Sequence, residues 1–228
     1  MILGQITTTG AADTLATASE ATGSVQVIDL LFKGGIMMIP IVLLSLLAVY
    51  VFVERMRTLK QALKTPDGFM SKVKTLVSNG DLNGAKIACA EVDTPVARMI
   101  EKGLNRIGHP LKNIEVSIEN VGKIELYKLE RNLPLLATVS GAAPMLGFLG
   151  TVMGMIQAFI SIAQEEGAVS PKLLSAGIYE AMITTAAGLV VGVIAYLGYN
   201  YLVTRLQKAV HTMEYSSIEF IDLLQEPK

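Results

Sequence analysis

The chain has 228 residues, of which 51% are hydrophobic and 17% are Asp, Glu, Lys or Arg. A soluble domain carries about 25% charged residues, and here the deficit lies in long uncharged windows, whereas residues 54–131 are charged like a soluble protein. The formal net charge of −1 supplies no basic field for nucleic acid. The composition therefore excludes a soluble enzyme and argues against a nucleic-acid partner.

The N-terminal part is polar and precedes a first apolar segment. Residues 1–24 are rich in Thr, Ala and Gly, and we expect a mobile external tail. Residues 25–35 are predicted to form an interfacial amphipathic helix on the outer membrane surface, with Gly34 and Gly35 separating it from the first span. Residues 36–53 contain no charge and are predicted to be the first transmembrane helix, because about 20 apolar residues cross a hydrocarbon core of about 30 Å.

Residues 54–131 are predicted to form a cytoplasmic domain of several helices separated by Gly- and Pro-containing turns. Asp81 is a candidate N-cap for one of these helices. Ile114, Ile118 and Val121 share one face of the last helix, which could continue without a break into the second span.

Two longer apolar segments follow. Residues 132–163 are predicted to be the second transmembrane helix, residues 164–176 an external loop, and residues 177–203 the third transmembrane helix. Both spans exceed the minimum length, so we expect them to tilt or to project beyond the bilayer.

Residues 204–228 are predicted to be a cytoplasmic C-terminal helix. One largely apolar face alternates steps of four and three residues, at Leu206, Val210, Met213, Ser217, Phe220 and Leu224. This short a/d pattern is consistent with a contact between subunits, and equally with one face that rests on residues 54–131.

The distribution of Lys and Arg predicts the orientation. Of 19 basic residues, 17 lie in residues 54–131 or 204–228, and only Lys33 and Lys172 lie elsewhere. The positive-inside rule therefore places the N-terminus outside and the C-terminus in the cytoplasm. The predicted fold is an all-α polytopic membrane protein with three transmembrane helices and long cytoplasmic helical extensions.

Glu180 is the ionisable residue within the predicted spans that most requires an explanation. A charged carboxylate near the bilayer centre costs about 2.5–3.5 kcal/mol on insertion scales, so such groups usually face a cavity or a partner. Because Glu180 lies near the start of the third span, its side chain could instead extend to the outer interface.

The neighbours of Glu180 favour a functional role. Small and polar side chains form a stripe along the third span, at Gly177, Glu180, Ala181, Thr184, Gly188 and Gly192, with Thr185 slightly further around the helix. Small residues allow helix backbones to approach closely in lipid. The stripe therefore predicts a helix–helix face that carries a carboxyl group and hydroxyl groups.

The second span has a matching face. Gly147, Gly150, Thr151 and Gly154 repeat every three or four residues, and Pro144 is expected to loosen the helix one turn earlier. The Thr151 hydroxyl could simply bond a carbonyl one turn back in its own helix. Two facing helices that both offer small residues and a Thr instead favour a narrow hydrated path for a cation, most simply a proton.

The expected roles divide into two sets. The ion-pathway residues are Thr151, Glu180, Thr184 and Thr185. The helix-packing and hinge residues are Pro144, Gly147, Gly150, Gly154, Ala181 and Gly188.

No other pattern in the sequence predicts chemistry. His109 and His211 have no second ligand at metal spacing, and the glycine-rich part of the second span lacks the Lys of a phosphate-binding loop. The single Cys89 is best interpreted as a small buried apolar residue. We therefore predict no metal site, no cofactor and no enzymatic activity.

Two motifs resemble the MotA/TolQ/ExbB proton-channel family, and within it the ExbB/TolQ branch, most nearly ExbB. They are GAAPMLGFLGTVMGMIQAF at residues 141–159 and GIYEAMITTAAGLVVGVIAYLGYN at residues 177–200. Three predicted spans fit this branch, since MotA-type stators have four. Two departures are visible: Thr184 stands where Ala is common, and the usual Pro does not precede Ala195. The added hydroxyl leaves the choice between H⁺ and Na⁺ open.

The resemblance implies a subunit of an ion-driven motor in the bacterial inner membrane. Such proteins form pentamers around the single-span helices of a dimeric ExbD/TolR-like partner, whose Asp carries the proton, and ion flow drives a TonB- or TolA-like protein. By resemblance, Thr151 and Thr185 match the pore threonines and Glu180 the intramembrane glutamate, while Pro144 and Gly150 match hinge and packing positions.

A different class of function remains open. A membrane scaffold that stabilises its partner subunits and conducts no ions would depend on the interface glycines alone. The sequence does not distinguish an ExbB-type, a TolQ-type and a gliding or adhesion motor, because these share the same membrane core.

Overall fold

The structure is a computed structural model that describes residues 34–66, 68–164 and 171–225, with the backbone alone at 171–174 and 176. All regular structure in these ranges is helical. The helices are α1 (Met38–Ala62), α2 (Phe69–Ser78), α3 (Leu82–Ala90), α4 (Pro95–Leu104), α5 (Leu111–Glu130), α6 (Leu133–Gln164) and α7 (Pro171–Gln225).

Three helical stretches of the described chain are long and apolar enough to cross a membrane: Met38–Ala62, Leu111–Gln164 and Gly177–Gln225. The first is α1, the second contains α5 and α6, and the third lies within α7. The predicted all-α fold with three candidate transmembrane helices is therefore confirmed.

The helix that precedes the second span does not run unbroken into it. α5 ends at Glu130, Arg131 is extended, and Asn132 adopts a positive φ of 65° before α6 begins. Pro134 explains the break, because a proline inside a continuous helix would remove one hydrogen bond and collide with the carbonyl four residues earlier. Within the first turn of a new helix, Pro134 meets neither obstacle.

The chain divides into two compact units. One unit comprises the chain up to Pro40 together with Leu146–Ala187, and the other comprises Ile41–Met145 together with Gly188–Lys228. The larger unit has a hydrophobic core to which five helices contribute. Each of these helices supplies a side chain that is no more than 2% exposed, namely Leu59, Val73, Ile100, Ile118 and Phe220.

The C-terminal part of α7 belongs to this core. Phe220 is fully buried, and a Cβ atom added at Gly103 would lie 2.6 Å from its ring and 2.7 Å from Ile118. Within one chain, the apolar face of the C-terminal helix therefore rests on residues 54–131, which is one of the two interpretations that the sequence allows.

Asp81 caps α3, since its side chain accepts a hydrogen bond of 2.8 Å from the Gly84 amide. Cys89 is buried in the same helix, and burial, assisted by the charge of Glu101, raises the pKa of its thiol to about 11. Because the thiolate is the reactive form, this thiol is chemically quiet near neutral pH.

A polar cluster links α1 to the end of α5. Arg55 is 5% exposed, and its guanidinium donates to the Lys128 carbonyl at 3.1 Å. The Asn132 amide donates to the Glu54 carboxylate at 3.0 Å. These bonds satisfy polar groups at the break between α5 and α6, where the helical ladder is interrupted.

Pro144 lies inside α6 and is matched by a glycine of α7. A Cβ atom at Gly192 would lie 2.5 Å from the Pro144 ring and 3.1 Å from the Ser140 carbonyl oxygen. This carbonyl is the one that a proline at position 144 leaves without its helical donor. Gly192 therefore permits α7 to approach α6 where its hydrogen bonding is interrupted.

Several predictions concern residues outside the described ranges. The external tail at 1–24 and the interfacial helix up to residue 33 are among them, as are residues 165–170 of the predicted 164–176 loop and the last three residues of the chain. The described part of that predicted loop is helical, since Gln164 ends α6 and residues 171–176 belong to α7.

Candidate ion pathway

The predicted pathway residues lie in the smaller unit. It contains the turn at Gly34–Met37 before α1, the part of α6 from Leu146 onward, and the part of α7 up to Ala187. Thr151, Glu180, Thr184 and Thr185 all lie in this unit.

Gly150 of α6 lies close against Thr184 of α7. A Cβ atom at Gly150 would lie 2.4 Å from Thr184 Oγ1 and 2.7 Å from Thr184 Cβ. Thr184 is 1% exposed, and its hydroxyl donates to the Ala181 carbonyl of its own helix at 2.8 Å. Gly150 therefore makes room for a hydroxyl-bearing side chain that is buried between the helices.

The same close approach continues along both helices. A Cβ atom at Gly154 would lie 3.0 Å from Ala181 Cβ, and one at Gly177 would lie 2.7 Å from Ala158 Cβ. Ala158 was not among the predicted packing residues, although its position one turn after Gly154 extends the same stripe. The predicted small-residue faces of the two spans thus meet each other along this length.

Thr185 makes a hydrogen bond between helices. Its hydroxyl donates to the buried Gly147 carbonyl of α6 at 2.9 Å. A threonine hydroxyl that donates in this way keeps its lone pairs free to accept a hydrogen bond from water.

Thr151 makes only a local bond. Its hydroxyl donates to the Phe148 carbonyl of α6 at 2.6 Å, and the side chain is partly exposed. This is the local bond that the sequence left open as an alternative to a pathway role.

Glu180 is partly buried beside the turn that precedes α1. Gly35 has a φ of 63°, and a Cβ atom at this residue would lie 1.8 Å from Glu180 Oε1. The sequence marked Gly34 and Gly35 as a break before the first span, but it contained no signal that this break contacts Glu180.

A cavity of about 330 Å³ opens next to Glu180. It is lined by residues of the Gly34–Met37 turn, by Gly150, Met153, Gly154 and Gln157 of α6, and by Glu180 and Thr184 of α7. This volume is large enough to hold water. The cavity combines Glu180 with Thr184, but Thr151 and Thr185 are not among its lining residues.

Two of the predicted packing and hinge residues, Pro144 and Gly188, lie in the larger unit, where Gly188 is buried. Among the residues that the structure describes, no group of three or more His, Cys, Asp or Glu side chains is arranged to hold a metal ion.

Comparison with known proteins identifies relatives along most of the chain. Residues 91–215 match the MotA/TolQ/ExbB proton channel family, a range that includes the four predicted pathway residues. The chain is 31% identical to the ExbB-like 1 biopolymer transport protein of Synechocystis sp. over 186 residues, which cover 80% of this chain and 73% of the relative.

A second relative covers more of the chain. The Tol-Pal system protein TolQ of Haemophilus influenzae is 28% identical over 226 residues, which cover 88% of this chain and 92% of TolQ. ExbB of Neisseria gonorrhoeae is 29% identical over 135 residues, or 53% of this chain and 61% of the relative. The match over more than half of the residues, together with the three membrane-length helices, shows that this chain belongs to the MotA/TolQ/ExbB proton channel family.

Proposed function

We propose that the chain is an ExbB/TolQ-like subunit of a motor in the bacterial inner membrane, driven by the proton motive force. Copies of the chain, five by resemblance, form a ring around a dimer of a single-span ExbD/TolR-like protein. Proton flow between the ring and this dimer energises a TonB- or TolA-like protein for outer-membrane transport or envelope work. In this role the chain is a transport component, not an enzyme, and membrane lipid surrounds the ring.

The observation that carries the proposal is the placement of Glu180 on a cavity together with Thr184. An ionisable carboxyl group in an apolar span needs a polar surrounding, because burying it alone is costly. The cavity supplies that surrounding with the Thr184 and Gln157 side chains and room for water. A carboxyl group that water can reach is a suitable relay for a proton.

The Lys and Arg distribution supports the orientation that the proposal requires. With 17 of the 19 basic residues in 54–131 and 204–228, the positive-inside rule favours a periplasmic N-terminus and a cytoplasmic C-terminus. Glu180 would then lie towards the periplasmic end of α7, where protons enter down their gradient.

A non-conducting scaffold is the second candidate. The local bonds of Thr151 and Thr184 to carbonyls of their own helices favour it, because neither hydroxyl needs an ion pathway to be satisfied. Proton flux separates the two candidates, since only the motor conducts.

Replacing Thr185 by Ala tests the proposal through a hydroxyl that bridges two helices. The complex of this chain with its single-span partner is reconstituted in liposomes, and proton uptake is followed with a pH-sensitive dye under an imposed potential. We expect the variant to lose most of the proton flux while the complex remains assembled, because one neutral hydrogen bond contributes only about 1 kcal/mol to stability.

Thr185→Ser, which keeps the hydroxyl, is expected to retain most of the flux. Thr138→Ala is the matched control, because the Thr138 hydroxyl also bonds a carbonyl of α6, that of Pro134 at 2.9 Å, but lies outside the predicted pathway. Wild-type flux from Thr185→Ala would remove Thr185 from the pathway, and an absence of flux from the wild-type complex would favour the scaffold.

A further inference from the structure

The turn before α1 has a conformation that only some residues adopt. Gly35 has a φ of 63°, in the left-handed region that glycine enters at little cost and that most other residues avoid. Position 35 therefore restricts the choice of residue even before its neighbours are considered.

The contact between this turn and Glu180 restricts the choice further. A Cβ atom at Gly35 would lie 1.8 Å from Glu180 Oε1 and 2.9 Å from Glu180 Cδ, both far inside van der Waals contact. The preceding Gly34 differs, since a Cβ atom there would instead meet the Met38 side chain, at its Cγ and Sδ atoms. Gly35, unlike Gly34, brings the backbone of the turn directly against the Glu180 carboxyl group.

Glu180 also borders the cavity that Thr184, Gln157 and other residues of the same turn line. Glu180 is the titratable side chain among the described lining residues of this cavity. The turn therefore limits the space on the Gly35 side of the carboxyl group, while the Glu180 side chain borders the cavity.

We propose that Gly35 is a positioning residue for Glu180: its side-chain-free turn closes against the carboxyl group and holds it at the cavity shared with Thr184. The inference rests on the proposed function for its purpose, because a proton relay requires a fixed carboxyl group at a cavity with room for water. The contact itself is independent of whether protons flow.

The test measures the access of water-borne reagents to Glu180. The purified chain in lipid nanodiscs is treated with a water-soluble carbodiimide and an amine, and modification of Glu180 is followed by mass spectrometry of its peptide. We expect Gly35→Ala to increase the modification rate several-fold, because the added Cβ displaces the carboxyl group or opens the turn. An unchanged rate would overturn the proposal.

Two further variants separate the contact from backbone strain. Gly35→Asn carries a Cβ atom but tolerates a positive φ, so we expect it to raise the modification rate as Ala does. Gly80→Ala imposes a similar backbone strain, because Gly80 has a φ of 79°, but the added Cβ atom would meet no atom within 4 Å. The modification rate of Glu180 should therefore stay at the wild-type value. A wild-type rate for Gly35→Asn, or an increased rate for Gly80→Ala, would contradict the positioning role.

Modification of Glu180 requires neither the partner nor ion flow. If Gly35→Ala exposes Glu180 but the wild-type complex conducts no protons, the positioning role stands and the proposed function fails. If the complex conducts protons and the modification rates do not differ, the proposed function stands and the role of Gly35 fails.

Discussion

Replacing Glu180 by Ala is expected to abolish proton flux through the reconstituted complex while leaving the complex assembled. The variant removes the titratable side chain that borders the cavity between the turn, α6 and α7. Neighbouring hydroxyl groups cannot replace it, because a threonine hydroxyl does not ionise near neutral pH. We expect the proton flux to fall to the detection limit of the dye assay. Co-purification of the partner reports whether the complex is assembled.

Glu180→Gln refines this result, since it keeps the size of the side chain beside Gly35 and removes only the titrating group. We expect its flux to be as low as that of Glu180→Ala. Glu119→Gln serves as the control, because Glu119 is exposed and pairs with Lys123 on the surface of α5 at 2.7 Å. Normal flux from both Glu180 variants at wild-type protein levels would exclude Glu180 from the ion pathway.

Replacing Gly150 by Leu is expected to destabilise the protein and to reduce assembly with the partner. Even the first carbon of the new side chain would lie 2.4 Å from Thr184 Oγ1, and Thr184 cannot move away because it is 1% exposed. Overpacking of this kind costs about 1–3 kcal/mol or more. The thermal unfolding midpoint in detergent and the yield of assembled complex measure the effect.

A matched glycine on α6 supplies the control. Gly141 is exposed, and no atom lies within 4 Å of a Cβ atom built on it, so Gly141→Ala should unfold at the wild-type temperature. Gly150→Ala, with the same added methyl group, should unfold at a clearly lower one. Equal midpoints for the two Ala variants would show that α6 and α7 are not closely packed at Gly150.

The two sets of variants report different properties. A motor and a scaffold both need the packing of Gly150 against Thr184, so its loss does not distinguish them. Only a conducting complex needs the Glu180 carboxyl group.

Much of the fold and part of the site follow from the sequence, for local physical reasons. Uncharged runs of about 20 residues predict membrane-length helices, and the repeated glycines of residues 147–154 and 177–188 predict faces that pack closely. The structure places these faces together, with Gly150 against Thr184. The C-terminal apolar face likewise followed from its periodicity, but its partner did not.

The features that the sequence did not predict depend on contacts between distant residues or on competing local signals. Gly35 and Glu180 are far apart in sequence, and no periodicity relates a turn to a helix that begins more than a hundred residues later. The break at Asn132 had a local signal in Pro134, but the apolar face of α5 suggested continuity. Whether Thr151 bonds its own helix or a neighbour depends on a rotamer, which spacing does not determine.

The placement of Thr151 and Thr185 along an aqueous passage is tested most directly by cysteine substitution in the assembled complex. The natural Cys89 gives little background, because it is 2% exposed and its pKa is raised to about 11. We predict that Thr151→Cys and Thr185→Cys react with a charged, water-soluble thiol reagent and that the reaction blocks any remaining proton flux. If both thiols react only with reagents that dissolve in lipid, and the flux is unaffected, these side chains face acyl chains and no ion path passes them.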